Sequence, residues 1–169
     1  MVIGNYSQAQ YYRDFYKGND AAKEATGRSS MSAGSLVRAD STALTRSVQA
    51  FTKLYENKDL NGKDVYNAIL AFGDTFNNAL DSSKDTPATR VTQLRKGLQG
   101  LSSKQKKAME AIGITVQGSG KLSIDKEKLA DASPNKVKAV FGSDSDFLKE
   151  LKKYARSLGN ESSTIDLMA

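Results

Sequence analysis

Ile112-Gly113-Ile114-Thr115-Val116-Gln117-Gly118-Ser119-Gly120-Lys121-Leu122-Ser123-Ile124-Asp125 is the stretch on which the fold turns. A helical apolar repeat stops at Gly113, and Ile114–Gln117 then reads as a short strand. Gly118-Ser119-Gly120 predicts a reversal in which glycine supplies positive φ, and Lys121–Ile124 returns as a second strand. Asp125 can cap a helix that opens Lys126-Glu127-Lys128-Leu129-Ala130, and Val137-Lys138-Ala139-Val140-Phe141 follows. The glycine turn is no phosphate loop: it lies between strands and lacks a Lys-Ser or Lys-Thr at the required spacing. This order of elements describes a scaffold that presents helices, not a cavity for chemistry.

Upstream of the hairpin, Val91, Leu94, Leu98, Leu101, Gln105, Ala108 and Ile112 keep a/d spacing up to Gly113, with Gln105 the polar exception. Ser102-Ser103-Lys104-Gln105 matches a capping box, and Gly97 and Gly100 weaken the helix, so a kink is expected near Leu101. The helix before it carries Val65, Ile69, Phe72, Phe76 and Leu80 on one stripe and is closed by Asp81–Pro87. The two stripes are expected to face each other as an antiparallel pair. An earlier helix, capped by Asp40 or Ser41, puts Leu44, Val48, Phe51 and Tyr55 on one face before the turn Asn57–Gly62.

Downstream, Ser133-Pro134 starts a short helix that Gly142 stops. Asp144-Ser145-Asp146 leads into a last helix near 145–158, with Phe147, Leu151, Tyr154 and Leu158 on one face. Gly159-Asn160 is expected to end it and to leave 161–169 loose. At the other terminus, Tyr6, Tyr11, Tyr12, Phe15 and Tyr16 form an aromatic cluster expected to dock on its own chain. Ala21–Gly34, rich in small and charged residues, reads as a mobile linker.

The fold class is therefore mainly α: an antiparallel helical hairpin or bundle with one small β-hairpin and short helices at one end. The expected organisation is 1–35, a Tyr-rich segment and flexible linker; 36–112, a long-helix bundle; and 113–169, the hairpin and short C-terminal helices.

Composition agrees with a thin core. Of 169 residues, 38% are hydrophobic and 8% aromatic, and only two are proline. Cysteine and histidine are absent, which removes disulfides, histidine-based triads and nearly all zinc sites. No aspartate-rich loop has calcium-loop spacing. No enzyme activity, metal or cofactor is expected. The net charge of +6 permits anionic partners, yet the basic run Arg90, Arg95, Lys96, Lys104, Lys106 and Lys107 lacks interleaved aromatics and reads as a solvated face. Nucleic acid is not an expected partner. No apolar run is long enough to span a membrane, and the first residues lack the pattern of a cleaved signal.

What remains for function is the helical stripes. Phe51, Val65, Ile69, Phe72, Phe76, Leu80, Val91, Leu94, Leu98, Leu101 and Ile112 are the candidate seam or interaction residues. They either form the core of one chain or include positions that another chain completes.

From about residue 40 to 156 the chain resembles the C-terminal region of the flagellar filament-capping protein family, also called hook-associated protein 2. Ile69–Leu80 looks like that family's helix with an F-V-x-x-Y-N-x-L pattern, with Gly73 and Phe76 in place of more usual residues. Leu94–Leu101 followed by Met109–Thr115 looks like its L-R-x-x-L and L-x-x-I-G-I-T segments. Gly118–Asp125, Leu129 and Val137–Phe141 match its D-G-x-L-x-L-D-x-x-K-L and V-x-x-L-F continuation. The resemblance implies a non-enzymatic helical rod that associates with copies of itself, with flagellin-type helical proteins, or with both. It implies an extracellular place on the bacterial flagellum, reached without a cleaved signal. Full-length caps carry large β-rich domains for which 169 residues leave no room, so a shortened relative is expected. The alternative reading is a small cytoplasmic adaptor or export chaperone that holds a partner helix.

Overall fold

The structure is a computed structural model and describes residues 6–169; Met1–Asn5, at the start of the segment 1–35, lie outside the described residues. The chain is mainly α. Its elements run α1 (Gln8–Phe15), a 3-10 turn (Asp20–Lys23), α2 (Ala25–Ser30), α3 (Ala33–Glu56), α4 (Gly62–Ser82), α5 (Thr89–Lys104), α6 (Lys106–Glu110), β1 (Ile114–Val116), β2 (Leu122–Ile124), α7 (Lys126–Ala130), α8 (Pro134–Phe141) and α9 (Asp146–Leu167).

The first long helix begins earlier than the sequence suggests. Ser32, not Asp40 or Ser41, is its cap, with the side chain accepting from the Ser35 N–H. Asp40 instead lies inside α3 and is fully buried. Ala21–Gly34, read as a mobile linker, carries the 3-10 turn, α2 and the first turn of α3. Small residues leave little hydrophobic signal, so packing decides their conformation and propensity does not.

The last helix also overruns its expected end. α9 continues through Gly159-Asn160 to Leu167, and its C-terminal turns lie antiparallel to the start of α3. Arg38 Nε donates to Ser162 Oγ at 3.1 Å, and the Asp166 carboxylate accepts from the Gly34 N–H and the Ser32 hydroxyl, both at 2.8 Å. A carboxylate at the N-terminus of α3 meets its unpaired N–H groups and the positive end of its dipole. That contact offsets the low helix propensity of Gly159 and Asn160.

The expected pairing of helices needs correction. α3 packs chiefly against α9 and α4, while α5 rests on α9 and meets α4 only slightly. The stripe of α5 therefore does not face the stripe of α4 as its main partner. Gly97 of α5 allows this: a Cβ there would collide with Cε1 of the Tyr154 ring on α9. The helix also breaks at Gln105, one turn beyond the kink expected near Leu101, and restarts as α6.

The hairpin forms where the sequence places it. β1 and β2 are antiparallel, with Ile114 opposite Ile124, Thr115 opposite Ser123 and Val116 opposite Leu122. Within the turn it is Gly120 that takes positive φ, at 83°. The hairpin is held on both sides. Gln99 Nε2 donates to Ser119 O at 2.7 Å and Ser102 Oγ to Gly120 O at 3.0 Å. On α4, Asn77 Nδ2 donates to Leu122 O and its Oδ1 accepts from Leu122 N, each at 2.8 Å. Asp125 caps α7 by accepting from Lys128 N, and Ser145 caps α9 by accepting from Leu148 N.

Candidate association surface

The candidate seam residues lie mostly inside the single chain. Phe51, Ile69, Phe72, Phe76, Val91, Leu98 and Ile112 are fully buried, Val65, Leu80 and Leu94 nearly so, and Leu101 alone is half-buried. Phe72 is the hub, with ring centroids 5.8 Å from Phe51, 5.4 Å from Phe141 and 6.3 Å from Phe147. Edge-to-face pairs of this kind add about 0.5–1.5 kcal/mol each beyond their buried area. Four elements (α3, α4, α8 and α9) meet there, so these side chains are occupied by their own chain.

The aromatic start of the chain also docks in cis. Tyr11, Phe15 and Tyr16 of α1 and the residue after it are buried, and α1 rides on α4 and α3. Asp64 Oδ1 accepts from Tyr6 N at 2.9 Å, and Asn78 Nδ2 donates to the hydroxyls of Tyr12 and Tyr16, both at 3.1 Å. The centre of this clamp is Asp40. It accepts from the Tyr16 hydroxyl at 2.7 Å and from both terminal nitrogens of Arg28, at 2.8 and 2.7 Å. Burial, and then the Asp40 charge, push the Tyr16 phenol well above its usual range. Burial and Asp64 do the same to Tyr11. Burial works against the Arg28 charge, but the Asp40 carboxylate outweighs it and holds the guanidinium protonated.

Sequence reading missed Arg28, Asp40, Asn77 and Asn78 as positioning residues. Asp40 resembles a helix cap in sequence, and Arg28 lies in a stretch that resembles a linker. Asn77 and Asn78 lie off the apolar stripe of α4, where polar residues are ordinary, so the sequence does not mark them.

The basic run lies on the outside of the bundle. Arg90, Lys96, Lys104, Lys106 and Lys107 are exposed, while Arg95 turns inward to donate to Leu80 O at 2.9 Å. Among the described residues, no group of three or more carboxylates is arranged to hold a metal ion. No described helix is long and apolar enough to cross a membrane.

Among the clefts on the described surface is an apolar groove of about 540 Å³ at the α3–α4 corner. Tyr55, Leu60, Val65 and Ile69 form one wall. Leu129, Pro134 and Val137 of the α7–α8 segment form the other, with Lys63 and Lys138 on the rim. Its size suits a few apolar side chains. Leu60, at its edge, is 40% exposed, and the other large exposed hydrophobics among the described residues are Leu167 at 86% and Met168 at 52%, at the far end of α9.

A filled core, a docked hairpin and an open apolar groove define a mainly helical bundle. The model of the flagellar hook-associated protein 2 C-terminus matches residues 23–168, and the chain belongs to that family. It is a family of structural flagellar components, not of enzymes. The match leaves out α1, so the tyrosine helix is packed onto the matched unit from outside it. No curated protein and no solved structure matches the chain.

Proposed function

We propose that the chain is a structural component of the bacterial flagellum, of filament-cap type, that works by association with itself or with flagellin-type helical proteins. The observation that carries this reading is the family match across almost the whole bundle. The apolar groove at the α3–α4 corner supports it, because the buried seam leaves contact to the surface.

Localisation tests the proposal. A tagged chain expressed in its flagellated host should be recovered with sheared filaments and label them at discrete points. A label that stays in the cytoplasm while filaments grow would overturn it in favour of an adaptor or export chaperone. That second reading draws on the same groove, which could hold a partner helix.

A further inference from the structure

We infer that the groove at the α3–α4 corner receives the last turn of α9 from a second copy of the chain, giving a head-to-tail contact. The inference rests on the proposed associative role and names its contact. Among the described residues, the large exposed hydrophobics fall in two places, Leu60 beside the groove and Leu167 with Met168, at opposite ends of α3. The groove lies beside Tyr55 and Leu60, near the end of α3. Leu167 and Met168 lie beyond Asp166, which is bonded to Ser32 and Gly34 at the start of α3. Twenty-one residues of helix separate Gly34 from Tyr55, about 30 Å at 1.5 Å per residue. A tail tied to one end of α3 cannot reach the groove at the other end, so another copy must supply it.

The charges agree with this pairing. The residues that line the groove include two lysines, Lys63 and Lys138, and no carboxylate. Segment 161–168 carries two acids and no basic residue: Glu161, and Asp166, whose carboxylate also accepts from Ser32 and Gly34 of its own chain. Opposite charges around an apolar contact set its register and discourage the like-with-like alternative of tail on tail or groove on groove. The two surfaces differ, so the contact is heterologous. Each copy keeps one free groove and one free tail, and growth continues until a ring closes or a filament forms. The contact is small, so it is weak in dilute solution and gains strength only where copies are held close together.

Two surface variants test this. Leu60→Glu spoils the groove, and Leu167→Glu with Met168→Glu spoils the tail. All three positions are exposed, and circular dichroism melting confirms that each variant folds. Sedimentation of the unmodified chain from about 10 µM to about 1 mM should show a rising average mass. Each variant alone should associate at least about tenfold more weakly. An equimolar mixture of the two should regain association but stop at the dimer, because only one intact groove and one intact tail remain. A tail variant that assembles like the unmodified chain overturns the inference, as does a mixture that stays monomeric. If the unmodified chain is monomeric throughout but still labels filaments, the head-to-tail contact fails while the proposed function stands. If it labels nothing, the proposed function itself has failed.

Discussion

The two ends of α3 are built from different materials. Its C-terminal half lies in a cluster of phenylalanines from four elements, where Phe51, Phe72, Phe141 and Phe147 touch ring to ring. Its N-terminal half is held by polar groups: Asp40 by Arg28 and Tyr16, and Gly34 and Ser32 by Asp166. Burial of rings supplies free energy with little regard to exact partner. A buried ion pair gains little net energy after desolvation, but it costs heavily when half of it is removed. The aromatic end therefore sets how stable the bundle is. The polar end sets which segments lie against it, and Tyr16, outside the family match, is fastened there.

The largest effect should come from the aromatic end. Phe72→Ala removes the hub ring from a fully buried site and should cost about 3–5 kcal/mol in chemical denaturation. The whole bundle should lose its cooperative transition at lower denaturant. A cost under about 1 kcal/mol would mean that the cluster is not the core it is taken for.

Asp40→Ala comes next, at about 3 kcal/mol, since it strands the Arg28 guanidinium and the Tyr16 hydroxyl in buried surroundings. Its signature should differ in kind. Limited proteolysis is expected to cut near Lys17–Lys23 while the α3–α9 body survives, because the clamp fastens a segment and does not fill the core. Uniform loss of the whole fold would erase the distinction between the two ends.

The smallest effect concerns pH. Folding raises the Tyr16 phenol above its unfolded value, through burial and the neighbouring Asp40 carboxylate. The protonated form is thus favoured by the fold, and its contribution is full below about pH 10 and lost as pH rises further. The urea midpoint should fall between about pH 9 and about pH 11. In Tyr16→Phe it should fall less steeply, with Tyr11 supplying part of the remaining slope. Equal slopes in the two proteins would show that the clamp does not feel the titration.

Sequence reading went furthest where the cause is local. The hairpin, the helix cap at Asp125 that follows it, and the Val65–Leu80 stripe follow from spacing and turn chemistry within a few residues of each other. The extent of α3 and α9 was not legible, because it depends on a bond between residues far apart in the chain, Gly34 to Asp166. The partner of α5 was not legible either. A stripe says which face of a helix is buried and nothing about which helix buries it, and here Gly97 directs that face to Tyr154. The interaction residues were drawn from the same stripes. The groove instead joins Leu60, in what reads as a turn, to Val137 on a short helix, and no periodicity links those positions.

The side chain of Asn77 stands in for a peptide unit. A two-stranded ribbon leaves the outward N–H and C=O groups of Leu122 ready to recruit a further strand. An asparagine amide offers the same donor and acceptor as the backbone at nearly the same spacing, and Asn77 meets both groups of Leu122. The ribbon thus has a third neighbour that is one residue long and attached to a helix. A further strand therefore finds the outward groups of Leu122 already taken on that edge.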